Sequence, residues 1–129
     1  WPYFSYGFKG GKDMFRIPHQ DSYVKPVYYF SPSIGISEII FYESDLFKYW
    51  SNKIIVASMR TKSLWLLDYD SDKNTVMSQE RINIGHRIRD LGISPSGKIV
   101  IITDDQNIIR ISPSKETKWK DSKKIRFYE

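Results

Sequence analysis

Apolar positions in this chain fall in short runs of strand length, separated by polar turns, with no sustained helical period. Residues 34–42 are largely apolar and read as a strand. Residues 43–52 read as a loop with one helical turn, from Ser44-Asp45 through Leu46, Phe47 and Trp50. Lys53-Ile54-Ile55-Val56-Ala57-Ser58-Met59 is an apolar, β-branched run of the buried-strand type, and residues 63–69 form the next. Asp70-Ser71-Asp72-Lys73-Asn74 is a polar turn, and residues 75–84 read as an outer, more polar strand. The same order then restarts, with strands at 88–94, 98–103 and 108–112. The turns between them are Pro95-Ser96-Gly97 and 104–107. A fourth strand of this second unit is absent or weak, although 125–128 offers a short candidate. Residues 27–30 are a further β-prone run, broken by Ser31-Pro32-Ser33.

Strands of about six residues in four-stranded groups of roughly 40–50 residues predict an all-β chain built of β-propeller blades. The expected division is a loop region over 1–30, one blade over 31–84, a partial blade over 87–112 and a charged tail over 113–129. A small β-sandwich is the alternative architecture. Two blades alone leave sheet faces uncovered, because each blade packs against neighbours round a ring.

Composition sharpens this picture only in places. Hydrophobic residues make up 40% and aromatics 16%, which favours strands over a helical bundle. The net charge of +5 is concentrated in the tail beyond Ser114, and no recognition motif accompanies it, so nucleic acid is not expected as a partner. No apolar run approaches the roughly 20 residues that span a bilayer as a helix. The absence of cysteine removes disulfide and thiolate chemistry. The chain opens at Trp1 and carries no signal peptide, which reads as the carboxy-terminal part of a longer protein.

Candidate chemistry centres on Gly85-His86-Arg87-Ile88-Arg89-Asp90. In a strand, Arg87 and Arg89 project from one face and Ile88 from the other. Two cations on one face repel unless an anion sits opposite. That anion is a ligand or a carboxylate of the chain itself, Asp90 or Asp104, the remaining alternative being ordinary solvated charges on an edge strand. Asp68, Asp70 and Asp72 alternate as in a calcium loop, but the later Gly and bidentate Glu are missing, so a hairpin turn is expected. Tyr28, Tyr29 and Phe30 offer either blade packing or a stacking surface.

Taken in order, several motifs carry a resemblance. They are Trp1-Pro2-x-x-Ser5-Tyr6-Gly7, Pro26-Val27-Tyr28-Tyr29-Phe30-Ser31-Pro32-Ser33-Ile34, Phe41-Tyr42-x-x-Asp45-Leu46-Phe47-x-x-Trp50, Arg87-Ile88-Arg89-Asp90 and Thr103-Asp104-Asp105. From Trp1 to about Ser112 the chain resembles the carboxy-terminal part of the soluble quinoprotein glucose dehydrogenases, closest to their aldose sugar dehydrogenase branch. The resemblance implies a six-bladed propeller that binds pyrroloquinoline quinone (PQQ) and calcium and oxidises the anomeric hydroxyl of aldoses to a lactone. It further implies an external electron acceptor and a periplasmic or secreted location.

On that resemblance Arg87 and Arg89 fall at the paired quinone-binding arginines, and Arg60 falls where the family has a cofactor-binding lysine. Lys62 competes with Arg60 for that role. Ser33 falls at a small hydroxyl residue near the cofactor, although a turn or capping role suits it as well. PQQ carries three carboxylates, which the forked, permanently charged guanidinium suits. The family's histidine base and calcium ligands would lie upstream of Trp1, and His86 matches no catalytic position. The alternative function is a non-catalytic propeller module that binds a carbohydrate or a protein.

Overall fold

The computed structural model describes residues 24–114, together with the backbone of three short strand pieces outside them. Two of these pieces, β1 (Phe8–Lys9) and β2 (Lys12–Asp13), pair antiparallel. Residues 1–23 of the lead-in expected over 1–30 and residues 115–129 of the charged tail expected over 113–129 otherwise lie outside the described residues.

Two four-stranded antiparallel sheets account for the rest. The first runs in the order β3 (Ile36–Tyr42), β4 (Lys53–Ser58), β5 (Ser63–Asp70), β6 (Thr75–Asn83). The second contains β7 (Ile88–Ile93), β8 (Ile99–Thr103), β9 (Ile108–Ile111) and β10 (Phe127–Tyr128). The β10 strand pairs with β9, Phe127 opposite Ile111, so the weak fourth strand is supplied from the chain's far end. No helix occurs among the described residues, and none there is long and apolar enough to cross a membrane. Residues 47–51 make the single helical turn, Trp50 N and Ser51 N both donating to Phe47 O at 2.8 and 3.1 Å.

Alternation along the strands decides where the core forms. Tyr42, Ile55, Ala57, Leu64 and Leu66 project from one face of the first sheet. They pack against Ile88, Leu91, Ile99, Ile101, Ile109 and Ile111 of the second. Each such fully buried aliphatic side chain contributes about 1.5–3 kcal/mol by leaving water. The opposite face of the first sheet is also apolar. Tyr28, Phe30 and Ile34 cover Val56, Trp65 and Leu67 there.

The run at 27–30 is not a strand. Among the described residues no strand pairs with it, and two of its rings, Tyr28 and Phe30, turn inward while Tyr29 stays exposed. Phe30 meets Trp65 edge-on at 5.3 Å and Tyr28 at 5.1 Å, while Tyr28 Oη donates to Gln79 Oε1 at 2.6 Å. Two aromatic members of this cluster therefore serve packing.

At one end the sheets are bolted together. Tyr42, fully buried, donates its hydroxyl to Gly97 O at 2.6 Å. Gly97 closes the Ser94–Gly97 turn at φ +79°, where a Cβ would lie 1.9 Å from Ser44 Oγ. Only glycine fits both the conformation and the space.

Candidate functional site: a cationic rim at one end of both sheets

In an antiparallel meander, alternate connections share one end of the sheet. The segment before β3, the β4–β5 and β6–β7 connections and the β8–β9 turn all lie at the end opposite the Tyr42–Gly97 bond. They carry Ser33, Arg60, His86, Arg87 and Asp104–Asp105, and Arg89 stands one residue inside β7.

Ser33 and Arg60 are adjacent. Met59 N and Arg60 N donate to Gly35 O and Ile34 O at 2.9 and 3.0 Å, so the lead into β3 runs alongside the end of β4. The exposed Arg60 donates from Nη1 to the Ser33 carbonyl at 3.0 Å. Ser33 Oγ accepts from Gly35 N at 3.3 Å, a local turn bond. Lys62, at φ +52°, binds through its backbone: its carbonyl accepts from Ile84 N and Gly85 N at 2.9 and 3.1 Å. Buried Ser58 holds the same rim, donating to Ile34 O at 2.5 Å and accepting from Thr61 Oγ1 at 2.7 Å.

Arg87 immediately precedes β7, and Arg89 is its second residue. Pairing runs Ile88 to Thr103 and then Asp90 to Ile102, so Arg89 is the extra residue of a β-bulge. A bulge breaks the alternation and re-aims side chains. Ile88 and Leu91 are buried, three residues apart, with exposed Arg89 and Asp90 between them.

Both arginines converge on Asp104. Arg87 Nε lies 3.1 Å from Oδ2, and Arg89 Nε donates to Oδ1. Arg89 Nη1 also lies 3.3 Å from Met59 Sδ, which ties the second sheet to the rim of the first. The guanidiniums are about half exposed, 53% and 52%, which keeps each ion pair in the range of about 0–1 kcal/mol. Of the two partners expected opposite the arginines, Asp104 is the one used. Asp90 Oδ1 instead accepts from Leu91 N at 2.8 Å.

A second cluster adjoins this one. His86 Nδ1 lies 2.7 Å from Asp105 Oδ2, Asn107 Nδ2 donates to the same oxygen at 3.1 Å, and Thr103 Oγ1 donates to Oδ1. These bonds, the Thr103 hydroxyl first and the His86 ring next, hold the Asp105 carboxyl below its ordinary pKa. Sequence reasoning gave His86 and Asp105 no role. The signal was the antiparallel register, since Ile88 opposite Thr103 brings 86–87 beside 104–105.

Asp70 lies at the other end, where its Oδ1 accepts from Asp72 N and Lys73 N at 3.0 Å each, as a hairpin turn requires. Among the described residues no group of three or more His, Asp or Glu side chains could hold a metal ion.

Comparison with known proteins decides the family. The family model for glucose / sorbosone dehydrogenase matches residues 1–110. The chain belongs to the glucose / sorbosone dehydrogenase family.

Aldose sugar dehydrogenase YliI of Escherichia coli (strain K12) is 28% identical to this family member over 120 residues. That match takes in 88% of the chain and 32% of the relative. An uncharacterized Synechocystis sp. protein, slr1608, is 26% identical over 109 residues, with 83% of the chain and 26% of the relative covered. A glucose dehydrogenase crystal structure superposes with a TM-score of 0.76 at 23% identity, over 88% of this chain and 34% of that one. A second glucose dehydrogenase structure gives 0.62 at 24%, over 70% and 29%. The fold is therefore that of propeller blades, and the chain spans about a third or less of each of these relatives.

Proposed function

We propose that the chain is part of a PQQ-dependent sugar dehydrogenase that oxidises the anomeric hydroxyl of aldoses to lactones and passes the electrons to an external acceptor. The observation that carries this reading is the gathering of Arg87, Arg89, Arg60 and Ser33 at one rim of two blades in a sugar dehydrogenase family. The donor set fits a polycarboxylate. Two half-exposed guanidiniums meet one carboxylate of the chain, which leaves the group of three a net single positive charge (2 − 1 = +1).

When bound, the quinone supplies the two-electron acceptor for the sugar. Arg87 and Arg89 bind and orient its carboxylates, each fork able to donate two parallel hydrogen bonds. Arg60 adds a third cation, already steadied by the Ser33 carbonyl. Calcium ligands and the base that takes the hydroxyl proton would come from the rest of the intact protein. A periplasmic or secreted location is part of the same proposal.

Titration of the intact apo-protein with PQQ tests it. Arg87→Ala and Arg89→Ala should each weaken binding by about 1.5–3 kcal/mol, the worth of a charged hydrogen bond. Unchanged affinity in both variants would end the cofactor assignment and leave a propeller module that binds a carbohydrate or protein.

A further inference from the structure

We infer that Asp104 is a positioning residue for the anion site, a pivot that aims Arg87 and Arg89 together and does not compete with the ligand for them. The inference rests on the proposed cofactor reading and gives a positioning role to a carboxylate that the reading counted only as charge.

Three features of the geometry point to it. First, Asp104 is fixed by its own backbone: its N–H donates to Arg87 O at 2.9 Å. The turn around it is closed by Gln106 N to Thr103 O at 3.2 Å and Thr103 N to Asn107 O at 3.0 Å. The main chain that carries the carboxylate is therefore held without help from either guanidinium. Second, its two oxygens are divided, Oδ2 facing Arg87 and Oδ1 facing Arg89, so one group spans both cations. Third, both approaches use Nε. That is one of five N–H donors on each guanidinium, and the forked ends are what a ligand carboxylate engages two at a time. Arg89 is further steadied by Met59 Sδ. A carboxylate that competed for the ligand's place would be expected to take the forked ends.

Charge and positioning make opposite predictions, which allows a clean test. If Asp104 only competed with the ligand, its removal would raise the local positive charge and tighten PQQ binding. As a pivot, its removal frees two flexible, mutually repelling side chains that the ligand must then order. Titration of the intact apo-protein, followed by quenching of its tryptophan fluorescence in the absence of sugar, reads affinity independently of turnover.

We expect Asp104→Ala to weaken PQQ binding about three- to ten-fold, with Asp104→Asn, which keeps one accepting oxygen, between it and the parent. In a background carrying both Arg87→Ala and Arg89→Ala, the Asp104→Ala effect should vanish. A merely structural role for Asp104 would persist in that background. Unchanged or tighter binding by Asp104→Asn and Asp104→Ala, alongside weakened arginine variants, overturns the pivot and leaves the cofactor reading standing. Arginine variants that bind PQQ as the parent does overturn both.

Discussion

At the scale of single residues, the hydrogen-bond partners say which side chains serve stability. Asp105 has a folded-state pKa below its unfolded one, so its contribution is complete above the ordinary carboxylate value of 3.8 and drains away as pH falls through the lowered value. Melting temperatures measured from neutral to acid pH should thus show Asp105→Asn less stable than the parent near neutrality, with the two curves converging in acid. Ser37 Oγ is buried without a partner among the described residues. An unsatisfied buried hydroxyl costs free energy, so Ser37→Ala should leave the denaturant midpoint unchanged or raise it. Alternation in the sequence expects both arginines on one strand face, whereas Arg87 precedes β7, Arg89 is a bulge residue, and their meeting point is the Asp104 carboxylate. Asp104 was legible only as one of two candidates. Strand spacing does not say which of two nearby carboxylates a guanidinium meets, and one serving both needs the cross-strand register.

At the scale of elements, the strands were legible because β-branched apolar runs bounded by turn residues have few other uses. β4 and β5 fall within a residue of where their runs begin and end. The 27–30 segment shows the limit of that reasoning. Aromatic residues favour a strand only where a neighbouring strand completes the ladder, and here they cover Trp65. The Arg89 bulge was equally hidden, since it is a property of two strands and not of one. Core strands should be the least tolerant elements. Ile101, fully buried in the middle of β8, should cost about 2–5 kcal/mol when replaced by alanine, read from chemical denaturation.

Across the molecule's described residues, the outer faces are only partly covered: Tyr28, Phe30 and Ile34 shield part of the first sheet. The core lies between the two sheets, while Ile39 and Phe41 on one outer face and Ile102 and Ile108 on the other remain exposed. Ile108 is 67% exposed, unusual for so apolar a residue in a strand. Large apolar side chains exposed on sheet faces favour association in water. The 129-residue chain alone should self-associate in light scattering, and Ile39→Lys with Ile108→Lys should shift it toward monomer. A monodisperse parent chain would contradict the blade-to-blade role of these faces.

The Tyr42–Gly97 bond has a reach beyond its own strands. Strands barely stretch, so a clamp at one extremity sets how far each sheet advances past the other along their whole length. If that latch were loosened by Tyr42→Phe, the sheets could slip by a fraction of a residue. The slippage would be felt most where Arg89 touches Met59, at the opposite extremity. The alignment of the arginine rim is in this sense inherited from a phenol and a carbonyl that no ligand there would contact.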